Sequence, residues 1–151
     1  MFLHCVYSIM IFASITDSTE IVPAFRDSIL AGNVSAAVDM ISIEALLDVD
    51  SVLTQNPDQI SNVLSYFGLQ MEIREMQGMD GKQLLLEILS SPNVFGAIVL
   101  FGISPEEPVK SAERTFVPVG YGLFGERDTI YLEIVSESGH WKIDDFFETV
   151  P

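Results

Sequence analysis

The sequence has little of the two residue types that most often hold metals or take part in nucleophilic catalysis. Among its 151 residues it has one cysteine and two histidines. A zinc site needs a cluster of Cys and His ligands, so this composition argues against one, and it predicts no metal and no cofactor. The single cysteine, Cys5, also excludes a disulfide within the chain. We therefore expect apolar burial to stabilise the fold.

Positive charge is also scarce. The chain has 7 Lys and Arg against 22 Asp and Glu, which gives a formal net charge of −15. Nucleic acid needs a basic surface for its phosphates, and anionic lipid surfaces repel a protein of this charge. The composition therefore predicts no nucleic-acid partner. It favours a soluble protein, a cationic partner or adaptation to a salty medium.

Long apolar runs are missing too. Val94–Ile103 is wholly uncharged and apolar, but it is far shorter than the roughly 20 residues that a membrane helix needs. We therefore expect no membrane span. The run predicts a buried strand or a tightly packed buried helix.

No charged side chain occurs in the first sixteen residues, and all acidic and basic residues follow them. Within this segment Val6–Ala13 is largely apolar and is followed by small residues, which is typical of a signal peptide. We therefore expect residues 1–17 to be a signal peptide and the chain to be exported, either to a periplasm or outside the cell. The alternatives are a buried N-terminal helix or strand and a misassigned start codon. We expect residues 18–151 to form a single domain.

The first half of that domain has the apolar periodicity of helices. Ile21, Phe25 and Ile29 recur at four-residue spacing, with Thr19 as a candidate cap. Leu69–Met76 fits both a strand and a helix, because it alternates in polarity but contains good helix formers. Further helical patterns occupy Val34–Met40, the stretch from Ser42 to the break at Asn56-Pro57, Pro57–Phe67 and Lys82–Leu89.

The last third is rich in aromatic and β-branched residues. It predicts three consecutive antiparallel strands, Arg114–Phe124, Thr129–Ser136 and Trp141–Val150. Pro118 cannot donate a backbone hydrogen bond, so it predicts an edge position or a bulge. Helices followed by a meander predict an α+β fold, with N-terminal helices packed on a curved antiparallel sheet.

Two stretches resemble a known superfamily. Leu30–Val38 (LAGNVSAAV) is similar to the helix–Gly–Asn/Asp–helix opening of nuclear transport factor 2-like domains, which have the cystatin-like cone. Leu132–Ile143, with Gly139–Ile143 across the last hairpin, resembles their closing strand pair. Small exported bacterial domains of unknown function share this layout.

The resemblance implies a cone, in which a bent antiparallel sheet wraps around helices and leaves a pocket at its open end. Members of the superfamily include isomerases, dehydratases, ligand carriers and catalytically inert binding modules. The chain departs from the enzymes, because no catalytic Asp/His or Tyr/Asp set can be placed on it. The resemblance therefore extends to the fold and not to an activity.

Candidate catalytic groups are few. With His4 in the expected leader, His140 is the other histidine, and it lies in a predicted turn where we expect it to be exposed. Asp39 and Glu133 could act as acid–base carboxylates if burial raised the pKa of one of them, but we expect both to be solvated. We therefore assign no catalytic residue.

Aromatic residues provide the candidate site. Their first expected role is core packing, and the alternative is that some line an apolar pocket. Adjacent residues on a strand face opposite sides, so Phe146-Phe147 predicts that one of these two rings lies outside the core. The pocket candidates are Tyr121, Tyr131, Trp141 and Phe116.

Three functions stay open. The favoured hypothesis is an exported, non-enzymatic module that binds a small apolar molecule or a protein partner. The second is an isomerase- or hydratase-type enzyme that uses a buried carboxylate in the cone pocket. The third is a structural homodimer joined through sheet faces.

Overall fold

A computed structural model describes residues 15–151. These residues form seven helices followed by five strands, which confirms the expected α+β class. Residues 1–14 of the expected leader, with Cys5 and His4, lie outside the described residues. The helices are α1 (Ile21–Leu30), α2 (Val34–Val38), α3 (Ile43–Gln55), α4 (Pro57–Tyr66), α5 (Ile73–Met76), α6 (Gly81–Leu89) and α7 (Pro92–Leu100). The strands are β1 (Ser104–Pro105), β2 (Val109–Ser111), β3 (Arg114–Leu123), β4 (Glu126–Glu137) and β5 (His140–Phe147).

Local capping explains where several helices begin. The hydroxyl of Ser42 caps α3, and Asp80 with Gln83 forms a reciprocal capping box at the start of α6. Helices α4 and α7 begin at Pro57 and Pro92, where the missing N–H of proline would have had no helical partner. The helices that begin at these residues confirm the helical patterns expected for the first half of the domain.

The cap expected at Thr19 is wrong. Helix α1 has Glu20 as its N-cap, without a side-chain hydrogen bond. Thr19 donates its N–H and its hydroxyl to the Asp17 carboxylate, at 2.9 and 2.8 Å. These two hydrogen bonds, the one from the N–H first, lower the pKa of Asp17. The polar side chain therefore stabilises the turn that precedes the helix.

The sheet is open and antiparallel. Strand β3 pairs with β1 and β2 along one side and with β4 along the other, and β4 pairs with β5. Since β3, β4 and β5 are consecutive, they form the expected meander. The β4–β5 register shifts between Glu133 and Ile134, where Asp144 is the extra residue on β5.

Pro118 lies inside β3 and not on an edge strand, so the edge alternative is wrong, whereas the side that pairs with β3 has one extra residue between Pro105 and Val109, which fits the bulge alternative. Its carbonyl accepts the N–H of Glu106 at 2.9 Å, so its ring nitrogen faces the same side. On that side β1 ends at Pro105 and β2 begins at Val109. Neither β1 nor β2 pairs with Pro118, so no strand on that side needs the N–H that proline lacks.

Two apolar clusters stabilise the fold. The sheet core joins α1 to the face of the sheet that the helices cover, which we call the inner face. Ile130, Leu132 and Ile134 of β4 belong to this core or pack against it. The expected alternation of β4 is therefore confirmed. The helical core lies among α3–α6. The sheet core contains Ile15, Ile21, Val22, Met40, Val117, Val119, Ile134 and Ile143, and the helical core contains Leu53, Ile60, Leu64, Met76 and Leu84.

Two segments differ from their expected structures. Val94–Ile103 is neither a strand nor buried, because most of it belongs to α7, and none of the nine residues of α7, all of them described, is buried. A bend of 59° separates α7 from α6. Because α6 packs in the helical core, this bend directs α7 away from that core. Leu69–Met76, for which the sequence left two alternatives, ends in the short helix α5 and forms no strand.

Replacing Ser42 by alanine should destabilise the fold. Ser42 is fully buried, its hydroxyl donates to Asp144 and accepts the N–H of Ala45 at 2.9 Å, and its N–H donates to the carbonyl of Ile143. Loss of the cap and of the bond to Asp144 should lower the free energy of unfolding by about 1–2 kcal/mol in urea denaturation. The matched variant Ser35→Ala, at an exposed site in α2, should stay within about 0.5 kcal/mol. Equal losses in both variants would contradict this role.

Candidate functional site

A cleft of about 580 Å³ lies between α3, α6 and the end of the sheet. The cleft forms because the C-terminal half of α3 is buried in the helical core, while the first turns of α3 lie over the sheet. Apolar side chains form much of its wall, namely Ile41, Ala45, Val49, Leu85, Leu132, Ile143 and Phe146.

An arginine–carboxylate pair lines this cleft. Arg114 donates from Nε to Oε1 of Glu133 at 2.7 Å and from Nη2 to Oε2, which makes the contact bidentate. The guanidinium carbon also lies 5.1 Å from the ring centroids of Phe116 and Phe147. The hydrogen bond with Glu133 is the main cause that raises the pKa of Arg114 above its usual value. The pair and its two rings form one packed unit.

The expectation that Glu133 is solvated is wrong, since it is only 8% exposed. Strand register explains this burial. Glu133 pairs directly with Phe116 across β3 and β4, so both side chains lie on the outer face of the sheet, opposite the helices. Arg114 precedes Phe116 by two residues and shares that face, which makes it a diagonal neighbour of Glu133. A carboxylate with such a partner can be buried without leaving an isolated charge.

The cleft extends around the edge strand β5 at its bulge. By register it includes Leu132 and Phe146 of the inner face and Glu133 and Asp145 of the outer face. Phe146 is 66% exposed beside the cleft, whereas Phe147 packs edge-to-face against a buried ring at 5.8 Å. This difference confirms the expectation that one ring of the pair lies outside the core.

Four further carboxylates line the cleft. Asp144 and Asp145 come from the bulge of β5, and Glu44 and Asp48 lie one turn apart on α3. Within residues 15–151 none of these four forms an ion pair. The cleft therefore combines apolar walls with excess negative charge.

The structure does not bring the four aromatic pocket candidates together. Register places Phe116 and Tyr131 on the outer face and Tyr121 and Trp141 on the inner face. Phe116 is fully buried, and Trp141 packs against the sheet core. Tyr121 lies at the other end of β3 beside Asp128, whose charge raises the pKa of Tyr121. None of the four lines the cleft between α3 and the sheet.

The two other candidate groups lie near the start of β5. His140 is half-buried, and its Nδ1 is buried without a hydrogen-bond partner among residues 15–151. Its expected exposure is wrong, because Ile15 lies beside β5 and accepts the N–H of Trp141 at 3.1 Å. Asp39 is exposed and pairs with Lys82 at 2.8 Å, which confirms its expected solvation. These groups border a separate pocket of about 140 Å³.

Sequence reasoning missed Arg114 and Asp144 as parts of the site. A signal for each is present in the sequence. Arg114 and Phe116 are two residues apart on a strand, so they share a face and can stack around an acid of the next strand. Asp144-Asp145 before two phenylalanines breaks the alternation of β5, and such a break indicates a bulge.

Comparison with known proteins identifies no relative of this chain. No protein-family profile, no curated protein and no solved structure matches it. The resemblance to nuclear transport factor 2-like domains therefore stays a prediction.

Within residues 15–151, no three His, Cys, Asp and Glu side chains are arranged to hold a metal ion. No single helix in this part of the chain has the length and hydropathy to cross a membrane, although α6 and α7 taken together, with the 59° bend between them, meet those criteria.

Proposed function

We propose that this protein is a binding module whose cleft takes a small apolar molecule with a positively charged group. The observation that carries the proposal is the composition of the cleft of about 580 Å³. Its apolar walls meet four carboxylates that form no ion pair within residues 15–151. Pockets for small molecules have volumes of roughly 300–1,000 Å³ and combine apolar walls with a few convergent polar groups.

The charge of the cleft favours a cation over an anion. Five carboxylates and one guanidinium line it, and the guanidinium of Arg114 is already bound by Glu133. Of the remaining carboxylates Glu44, Asp48 and Asp145 are exposed and Asp144 is half-buried, and their summed negative charge attracts a cation to the cleft. An ammonium group near Glu44 and Asp48 with an apolar body along Ala45 satisfies both features.

The enzyme alternative uses Glu133 as its buried carboxylate. Both oxygens of Glu133 accept hydrogen bonds from Arg114, so the carboxylate is engaged in a bidentate ion pair. This geometry supports a positioning role for Glu133 within a binding site. It does not support general acid–base catalysis by Glu133.

A matched ligand pair tests the charge preference. Phenylbutylamine and phenylbutyrate share one apolar body and carry opposite charges, and isothermal titration can compare them on the purified protein. We expect the amine to bind in the millimolar range or tighter and the acid to bind at least tenfold more weakly. Equal binding of the two compounds, or no binding of the amine, would contradict the proposal.

A matched variant pair locates the binding site. Glu44→Gln with Asp48→Asn removes two charges from the cleft, and Glu87→Gln with Asp58→Asn removes two exposed charges outside it. We expect the first pair to weaken phenylbutylamine binding about tenfold, since each partly exposed ion pair contributes about 0.5–1 kcal/mol. The second pair should change it less than twofold. Equal weakening by both would indicate a response to net charge alone and would remove the cleft from the proposal.

A further inference from the structure

We propose that two copies of this chain associate through α7. The α7 face consists of Phe95, Val99 and Leu100 on the helix and of Phe124 on the β3–β4 hairpin. It is separate from the cleft and from the sheet faces. The proposal does not depend on the proposed function.

The first observation is the exposure of an apolar helix. No residue between Glu87 and Glu106 carries a charge, yet none of the residues of α7, all of them described, is buried. Leu100 is 65% exposed, and Phe95 and Val99 are exposed as well. A helix that is apolar on all sides is normally covered by protein or lipid, and residues 15–151 do not provide that cover.

The second observation is the conformation of Phe124. The carbonyl of Phe101, just after α7, accepts the N–H of Gly122 at 2.9 Å, which holds the end of the helix against the β3–β4 hairpin. At the tip of this hairpin Phe124 is fully exposed and has φ +53°. This left-handed conformation suits Asn or Gly and disfavours a bulky side chain. A large ring is thus held in solvent, two residues after the Gly122 that bonds to the end of α7, at a position where a small polar residue would be less strained.

The lack of charged side chains on α7 makes the α7 face the surface on which a second copy meets the least repulsion. Each copy has a formal net charge of −15, so two copies repel each other when acidic surfaces meet. The α7 face brings together two uncharged surfaces, and a twofold axis through it makes the face complementary to itself. Gly96 has open space around its Cα, which leaves room for the partner copy's helix to approach closely.

The available area fits a dimer of moderate affinity. The four exposed side chains provide on the order of 500 Å² of apolar surface per copy. A standard protein interface buries about 800 Å² per partner. Two copies joined through this face therefore bury on the order of 1,000 Å² in total, which lies at the small end of specific interfaces.

Sedimentation velocity on the full chain tests the dimer. We expect a concentration-dependent monomer–dimer equilibrium between about 1 and 100 µM, a range in which dimers of moderate affinity dissociate. Added salt should shift the equilibrium toward dimer, because it screens the repulsion between the two acidic copies. A monomer at every concentration and salt level would overturn the proposal.

Two matched variants place the interface. Leu100→Lys puts a charge in the α7 face, and Leu47→Lys puts the same charge on α3 at a similar exposure of 60%. We expect Leu100→Lys to weaken dimerisation at least tenfold and Leu47→Lys to change it less than threefold. Phe124→Asn should also weaken the dimer, while the melting temperature of the dilute monomer stays the same or rises, because the strain at this position is relieved. Equal effects of the two lysine variants would overturn the proposal.

Lipid is the competing occupant. Flotation with vesicles of phosphatidylcholine, which has no net charge, should leave the protein in the unbound fraction. Recovery of the wild-type chain with the vesicles, together with loss of recovery in Leu100→Lys, would assign the α7 face to a lipid surface and overturn the dimer.

Discussion

Arg114→Ala is expected to lower the free energy of unfolding by about 2–3 kcal/mol. The variant leaves Glu133, whose side chain is 10% exposed, without the partner that accounts for its burial. Removal of one member of a fully buried pair costs about 3–5 kcal/mol. We expect a smaller loss here, because the side chain of Arg114 is 43% exposed and water screens the pair. The loss also removes the contacts of the guanidinium with Phe116 and Phe147. Urea denaturation followed by circular dichroism measures the change.

A double variant separates the cost of an unpaired charge from the loss of packing. Arg114→Met with Glu133→Leu removes both charges and keeps similar volumes. We expect its stability to lie within about 1 kcal/mol of the wild type, because replacement of a buried ion pair by apolar residues is often neutral. A single-variant loss below about 0.5 kcal/mol, or a double variant as unstable as Arg114→Ala, would show that Glu133 is not held by this pair.

Gly81→Ala is expected to destabilise the protein by about 2–3 kcal/mol, since overpacking in a rigid contact costs about 1–3 kcal/mol. A Cβ on Gly81 would lie 2.5 Å from the carbonyl oxygen of Leu46 and 3.1 Å from both Val49 Cβ and an oxygen of Asp50. The Leu46 atom belongs to the backbone of α3 and cannot rotate away. The Gly81 N–H also donates to the Asp50 carboxylate, so a displacement weakens that bond too.

The same substitution should weaken binding in the cleft. Gly81 sets how closely the start of α6 approaches α3, and these two helices provide Leu85 and Val49 to the cleft wall. We expect the affinity of Gly81→Ala for phenylbutylamine to fall at least threefold in isothermal titration of the folded variant. Gly78→Ala is the control, because its Cβ would meet its nearest neighbour, the carbonyl of Glu75, at an ordinary 3.6 Å. Gly78→Ala should stay within about 1 kcal/mol of the wild type, and a comparable loss there would contradict the close-approach explanation.

The sequence by itself determined the local structure of this protein. Helix and strand periods follow from which positions are apolar, so the patterns after Ser42 and Pro57 predicted α3 and α4, and the alternation of Ile130, Leu132 and Ile134 predicted the inner face of β4. The order of these elements then predicted the α+β class. These are short-range properties, since each depends on neighbours within a few residues along the chain.

The tertiary structure alone decided the content of the site. Alternation shows that Glu133 faces away from Leu132, but only the β3–β4 register places Arg114 beside it and permits its burial. Alternation likewise cannot show that Phe116 and Trp141 lie on opposite faces, because that depends on register and on the bulge at Asp144. Such positions are set by pairing between distant segments.

The separation of the two cores was also a tertiary outcome. Apolar content predicted that the α7 segment is buried, but none of its residues is buried and none belongs to either core. Whether an apolar surface is covered depends on the direction in which the chain leaves the preceding helix, here a bend of 59°. The sequence determined which side chains share a face, and the tertiary structure decided which faces meet. The physical reason is that hydrophobic burial has no preferred direction, so the packing of whole helices and sheets decides which apolar faces contact each other.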